Sequence, residues 1–140
     1  MSNLSGIFDD IIEESSTIIP PVAILKELAQ ELTKKTQGLV IAEVQPDERD
    51  YNHPHHFGFQ FTIVAPSLNN YHYDVLSIWH DLKLYPLRIY LFDDNTNIEV
   101  SNQESFEEEL KHIFSSSNTR KVINGLLAQV KQIKEEDIPF

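Results

Sequence analysis

An α+β fold, with helices at both ends of the chain and an antiparallel meander sheet between them, is what the hydrophobic periodicity predicts. Three observations carry it. Apolar residues recur at helical spacing before Gly38 and after Ser101, and they alternate at a period of two from Leu39 to Val100. The alternating runs are joined by segments too short for the crossovers that parallel pairs need. The expected order is two helices, four or five strands and two helices, ααββββ(β)αα, in a single domain spanning residues 1–140.

Residues 4–14 place Leu4, Ile7, Phe8, Ile11 and Ile12 on one helical face, with Asp9, Asp10, Glu13 and Glu14 on the other. "SSTIIPP" ends that helix, and Pro20-Pro21 can open the next, because a proline in the first turn loses no hydrogen bond. In "PVAILKELAQELTKKTQG" the apolar positions Ile24, Leu25, Leu28 and Leu32 repeat at helical spacing. Lys34 and Lys35 suit the last turn, and Gly38 is a natural C-terminal stop.

From Leu39 the pattern changes. "LVIAEV" reads as a strand and "QPDERDYNHPH" as a connector. "HFGFQFTIV" puts Phe57, Phe59, Phe61 and Ile63 on one side of a strand and Gly58, Gln60 and Thr62 on the other. After the turn residues "APSLNN", "YHYDVLSIW" alternates again, with Tyr71, Tyr73, Val75, Ser77 and Trp79 set against His72, Asp74, Leu76 and Ile78. Pro86 opens the strand "PLRIYLF", "DDNTN" has turn chemistry, and "IEV" makes a short last strand. Leu76 and Ile78 lie opposite Val75 and Trp79, so both sides of this strand carry large apolar groups. That predicts helices over both faces of the sheet, with a partner over one face as the alternative.

The chain then returns to helix. Ser101 with Glu104, and Ser105 with Glu108, each match a capping box. Phe106, Leu110, Ile113 and Phe114 form the apolar stripe of the third helix. "SSSN" breaks it, and Ser117 or Asn118 can cap a final helix carrying Val122, Ile123, Leu126, Leu127, Val130 and Ile133. The end of the chain, residues 135–140, is expected to fray.

Composition narrows the function classes. Acids outnumber bases, 22 to 11, for a formal net charge of −11. That disfavours nucleic acid, whose backbone is bound by clustered Lys and Arg. The chain has no cysteine, which removes disulfides and thiolate chemistry. No apolar run approaches the roughly 20 residues that cross a bilayer, and the first residues lack the basic and apolar regions of a signal peptide. The expectation is a cytoplasmic protein without membrane or nucleic-acid partners.

Two stretches stand out as candidate sites. In "DERDYNHPHHF", His53, His55 and His56 lie close to Asp47 and Asp50. Imidazoles and carboxylates hold divalent metals. Pro46, Asn52 and Pro54 mark the stretch as a loop, however, and the reading preferred here is a solvated connector. From Asp93 to Glu109 the chain carries Asp93, Asp94, Glu99, Glu104, Glu107, Glu108 and Glu109 with no Lys or Arg among them. Acids in a first helical turn suit the helix dipole, which accounts for Glu104 and Glu107 but not for Asp93 or Asp94. His72, His80, Asp74 and Asp81 supply acid–base groups without a nucleophile elbow, and four glycines leave no phosphate-cradling loop.

These features point to a small acidic protein-binding module that acts by stoichiometric contact with a basic partner surface. An inhibitor, an immunity or antitoxin-like neutraliser, or an adaptor would all fit. Its contact residues are expected to be Asp93, Asp94, Glu99, Glu104, Glu107 and Glu108, with Tyr71 and Tyr73 of the "NNYHY" edge as aromatic anchors. No cofactor is expected. The alternatives are a metal-binding or metal-assisted hydrolytic domain built on His53, His55 and His56, and an oligomeric scaffold that pairs through one sheet face.

Overall fold

The computed structural model describes residues 4–48 and 56–136. The elements are α1 (Asp9–Glu13), α2 (Pro21–Lys35), β1 (Ile41–Pro46), β2 (Phe57–Ala65), β3 (Tyr71–His80), β4 (Leu87–Leu91), β5 (Thr96–Val100), α3 (Gln103–Phe114) and α4 (Ser117–Glu136). This is the expected α+β order. The sheet has five strands in sequential order, each antiparallel to the next. Of the tail expected to fray, residues through Glu136 continue α4 and residues 137–140 lie outside the described residues.

The helix ends show which local signals prevailed. Pro20 sits extended at the N-cap of α2 and Pro21 takes the first helical position, where a missing N–H costs nothing. Beyond Lys35, Gly38 adopts φ +79° and its N–H reaches the Thr33 carbonyl at 2.8 Å, closing the helix as its left-handed stop. At α3 the expected serine caps give way to Asn102, whose Oδ1 accepts the Ser105 N–H at 2.8 Å. Ser105 is therefore a capped residue and not a cap.

The first helix is shorter than its apolar spacing suggests. Only Asp9–Glu13 is α-helical, after a turn over residues 4–8. The hydroxyls of Ser15, Ser16 and Thr17 each donate to a carbonyl three residues back, and the chain tightens there into a 3-10 turn. No residue of α1 or of that turn is buried.

Cross-strand partners share a face, so the register defines two surfaces. One carries Phe59, Ile78, Ile89 and Ile98 in a row, beside Val44, Phe61, Leu76 and Leu91. These residues join Ile24 and Leu25 of α2, Phe106 and Leu110 of α3, and Leu126 and Val130 of α4 in one hydrophobic cluster. The opposite face carries Gln45, Gln60, Ser77, Tyr90 and Asn97 in register, with Trp79 and Arg88 alongside. The expectation of helices over both faces is thus corrected, because the residues of α2, α3 and α4 in the core cluster join the sheet face of Phe59, Phe61, Leu76 and Ile78, and none of Gln60, Ser77, Trp79 or Tyr90 belongs to it.

The register of β3 explains the error. Phe61 pairs with Leu76, but its neighbour Thr62 pairs with Asp74, leaving Val75 as one extra residue in β3. Such a bulge reverses the alternation beyond it. Tyr71 and Tyr73 consequently share the core face with Leu76, Ile78 and His80. They are not on the side of Ser77 and Trp79, where unbroken alternation puts them.

Candidate functional site

The turn between β4 and β5 carries Asp93 and Asp94 to the edge of the core face. It is held by local hydrogen bonds: the Tyr90 hydroxyl donates to Asn95 Oδ1, and the Thr96 hydroxyl donates to Asp94 Oδ1. Asn95 takes the left-handed conformation, φ 57°, that this residue type tolerates. Across from the turn lies the junction of α3 and α4. Between them is a cleft of about 520 Å³ whose rim includes Asp93, Asp94, Glu109 and His112. Its floor is apolar, made by Val75, Leu91, Ile98 and Ile113. Tyr73 forms one wall, its hydroxyl accepting the Asn118 side-chain N–H at 3.1 Å, which ties β3 to the start of α4.

Of the carboxylates from Asp93 to Glu109, none makes an ion pair with a described residue; Lys35–Glu31, a surface pair on α2, is elsewhere. Asp93, Asp94 and Glu109 give this cleft an acidic border beside the apolar Leu91, Ile98 and Ile113, with the hydroxyls of Thr96, Ser116 and Ser117 also in its lining. An aliphatic stem ending in a cation fits that arrangement. The methylenes of a Lys or Arg would lie along Leu91 and Ile98 while the head group meets the acids.

The structure separates the other expected contact residues. Glu99 lies on the polar face of β5, opposite Arg88. Glu104 and Glu108 are exposed on α3, and Glu107 borders a groove between α2 and α3 with Glu27 and Glu31. Tyr71 faces a different hollow, shared with Leu68, Lys121 and Leu126. So Asp93, Asp94 and Tyr73 come together, joined by Glu109, His112 and Asn118. Spacing along the chain gave no signal for the last two, which reach the cleft only through the packing of α3 and α4.

His53 and His55 lie outside the described residues. His56 is half-buried at the entry to β2, and no group of three or more potential metal ligands occurs among the described residues. His72 and Asp74 are exposed, Asp74 accepting the Thr62 hydroxyl at 3.0 Å. His80 is buried on the core face instead, between the rings of Phe57 and Phe59 at 5.9 and 6.3 Å, with Nδ1 at 2.9 Å from the Asp81 carbonyl.

Sequence reasoning missed a buried polar contact on the opposite face. Asp47 follows β1 and folds back over Gly58, its N–H donating to the Gly58 carbonyl at 2.8 Å. Its carboxylate is buried and accepts the hydroxyl of Ser77, itself fully buried, at 2.6 Å. The Arg88 guanidinium stacks over the Trp79 ring at 5.3 Å. The alternation of β2 and β3 placed Gly58, Ser77 and Trp79 on that side; the chain's return brings the buried Asp47 carboxylate onto the buried Ser77 there.

Tyr85 has a titration consequence. Its ring meets Phe106 edge-on at 6.4 Å, and its buried hydroxyl has no hydrogen-bond partner among the described residues. Burial, aided by the Glu107 carboxylate, pushes the phenol up from the usual 10.0 to about 12. The folded state therefore holds a proton that the unfolded chain releases near pH 10. The stabilisation is complete below pH 10 and is expected to be lost as the pH rises towards 12. Urea midpoints measured across that range should show the decline, and Tyr85→Phe should flatten it. At pH 7 the same substitution should change stability by less than about 1 kcal/mol, because no hydrogen bond is broken.

No protein-family model, curated protein or solved structure matches the chain. What the cleft does is therefore read from its own chemistry. Among the described residues no helix is long and apolar enough to cross a membrane.

Proposed function

We propose that this protein is a stoichiometric binding module for a basic protein partner, and that the cleft beside the β4–β5 turn takes a Lys or Arg side chain of that partner. The observation that carries the reading is that Asp93, Asp94 and Glu109, none of them in an ion pair with a described residue, border one cleft together with the apolar Leu91, Ile98 and Ile113. Negative net charge over the whole chain steers a cation to the surface, and the cleft supplies the place where it stops.

The test uses a fluorescein-labelled decapeptide of Lys and Arg, with binding followed by anisotropy. The triple variant Asp93→Asn/Asp94→Asn/Glu109→Gln should weaken binding at least tenfold. A control with equal charge loss elsewhere, Glu43→Gln/Glu48→Gln/Glu108→Gln, should weaken it by less than about threefold, as expected of a diffuse field that salt screens. Equal losses in the two variants would show that the cleft is no more than part of an acidic surface, and would sink the proposal.

A further inference from the structure

Residues 4–19 form a surface that the cleft does not use. Leu4, Ile7, Phe8, Ile11 and Ile12 are 53–64% exposed, and Ile18 and Ile19 are 54% and 51% exposed. Together they present apolar area on the order of the 300–600 Å² that marks the largest functional patch of a typical monomer. The segment packs mainly against itself, α1 on the 3-10 turn that follows. Nothing in the core requires these side chains to be apolar. Asp9, Asp10, Glu13 and Glu14 are interleaved with them, all exposed, and no Lys or Arg precedes Lys26.

We infer that this segment is a docking element that inserts its apolar side chains into a groove on a second protein, a groove bordered by Lys and Arg. Charge selects that occupant. A second copy of this chain offers an apolar groove between α2 and α3, lined by Ile24, Leu28, Leu110 and Phe114, but Glu27, Glu31 and Glu107 border it against the single base Lys111, a net negative rim. Those acids repel the acidic side chains of the segment. An anionic membrane repels it likewise, since surface helices that lie on such membranes carry Lys and Arg on their polar side. A basic border removes the repulsion and pairs the carboxylates, while the exposed Ile7, Phe8, Ile11 and Ile12 enter the groove.

The inference does not depend on the cleft, and its test separates the two. The probe is a labelled 18-residue amphipathic peptide of Leu and Lys, compared with a Leu and Glu peptide of the same apolar pattern and with zwitterionic vesicles. The full chain should bind the Leu/Lys peptide at least tenfold more tightly than the Leu/Glu peptide. Ile7→Ser/Phe8→Ser/Ile11→Ser should abolish at least nine-tenths of that affinity while leaving the thermal midpoint unchanged, as these side chains are not buried. Asp93→Asn/Asp94→Asn/Glu109→Gln should leave it within threefold. Unchanged binding by the serine variant, equal binding of both peptides, tighter binding to vesicles, or a dimer in sedimentation that the serine variant dissolves would each overturn the inference.

Discussion

Phe61→Ala is expected to cost about 3–5 kcal/mol of folding stability, the range for truncating a fully buried phenylalanine. Phe61 is 1% exposed and lies in β2, hydrogen-bonded on one edge to β1 and on the other to β3. On the core face its cross-strand neighbours are Val44 and Leu76, and its ring meets Phe114 of α3 edge-on at 5.1 Å. A strand held on both edges cannot move inward to close the space left behind, so the cavity persists and the upper part of the range applies. That is a large share of the roughly 5–15 kcal/mol that stabilises a domain of this kind. Urea unfolding followed by far-ultraviolet circular dichroism measures it, and a loss below about 1.5 kcal/mol would mean that the core is less tightly packed than described.

Gly58→Ala adds one methyl group and is expected to destabilise the fold by about 3 kcal/mol, at the upper end for overpacking. A Cβ at this position would stand 2.2 Å from the Asp47 carbonyl oxygen and 2.5 Å from Trp79 Nε1. The first contact is with backbone and the second with an indole that Arg88 covers, so neither yields by a simple rotamer change. The segment carrying Asp47 has to lift, and the hydrogen bond from Ser77 to its buried carboxylate is strained with it. Trp79 is the sole tryptophan, so its fluorescence should report the displacement along with the lower unfolding midpoint. The same substitution at Gly125, exposed in α4 with nothing within 4 Å, should stabilise by about 0.5–1 kcal/mol through helix propensity alone. The opposite signs of two Gly→Ala changes separate close approach of the chain from backbone freedom.

The acidic run shows how far sequence reaches towards the site. Asp93 and Asp94 were identifiable because no helix dipole accounts for acids in a turn, and they do border the cleft. Glu104 and Glu108, close to them in sequence, point elsewhere because α3 turns its side chains about 100° per residue and only Glu109 returns to the rim. Proximity along a helix is not proximity in space. Asn118 and His112 belong to the cleft for a reason invisible in the run itself, namely that the α3–α4 junction packs against the end of β3.

Period and turn chemistry alone determined the α+β class, the sequential antiparallel order and much of the core: Phe59, Phe61, Leu76, Ile78, Phe106 and Leu110 all fell out of spacing. Each depends on neighbours within a few residues, and local geometry is what a sequence writes directly. The tertiary structure decided the rest. Val75 as a bulged residue turned Tyr71 and Tyr73 onto the core face, since keeping Leu76 and Ile78 buried outweighed keeping the alternation unbroken. The return of Asp47 over Gly58 buried a carboxylate that the chain's composition placed in a wet loop. The first helix, shortened to Asp9–Glu13, found no place in the core, because α2, α3 and α4 already join the apolar side of the sheet in one cluster. In each case the outcome turned on which surfaces compete for the same buried space, and that competition exists only once the chain is folded.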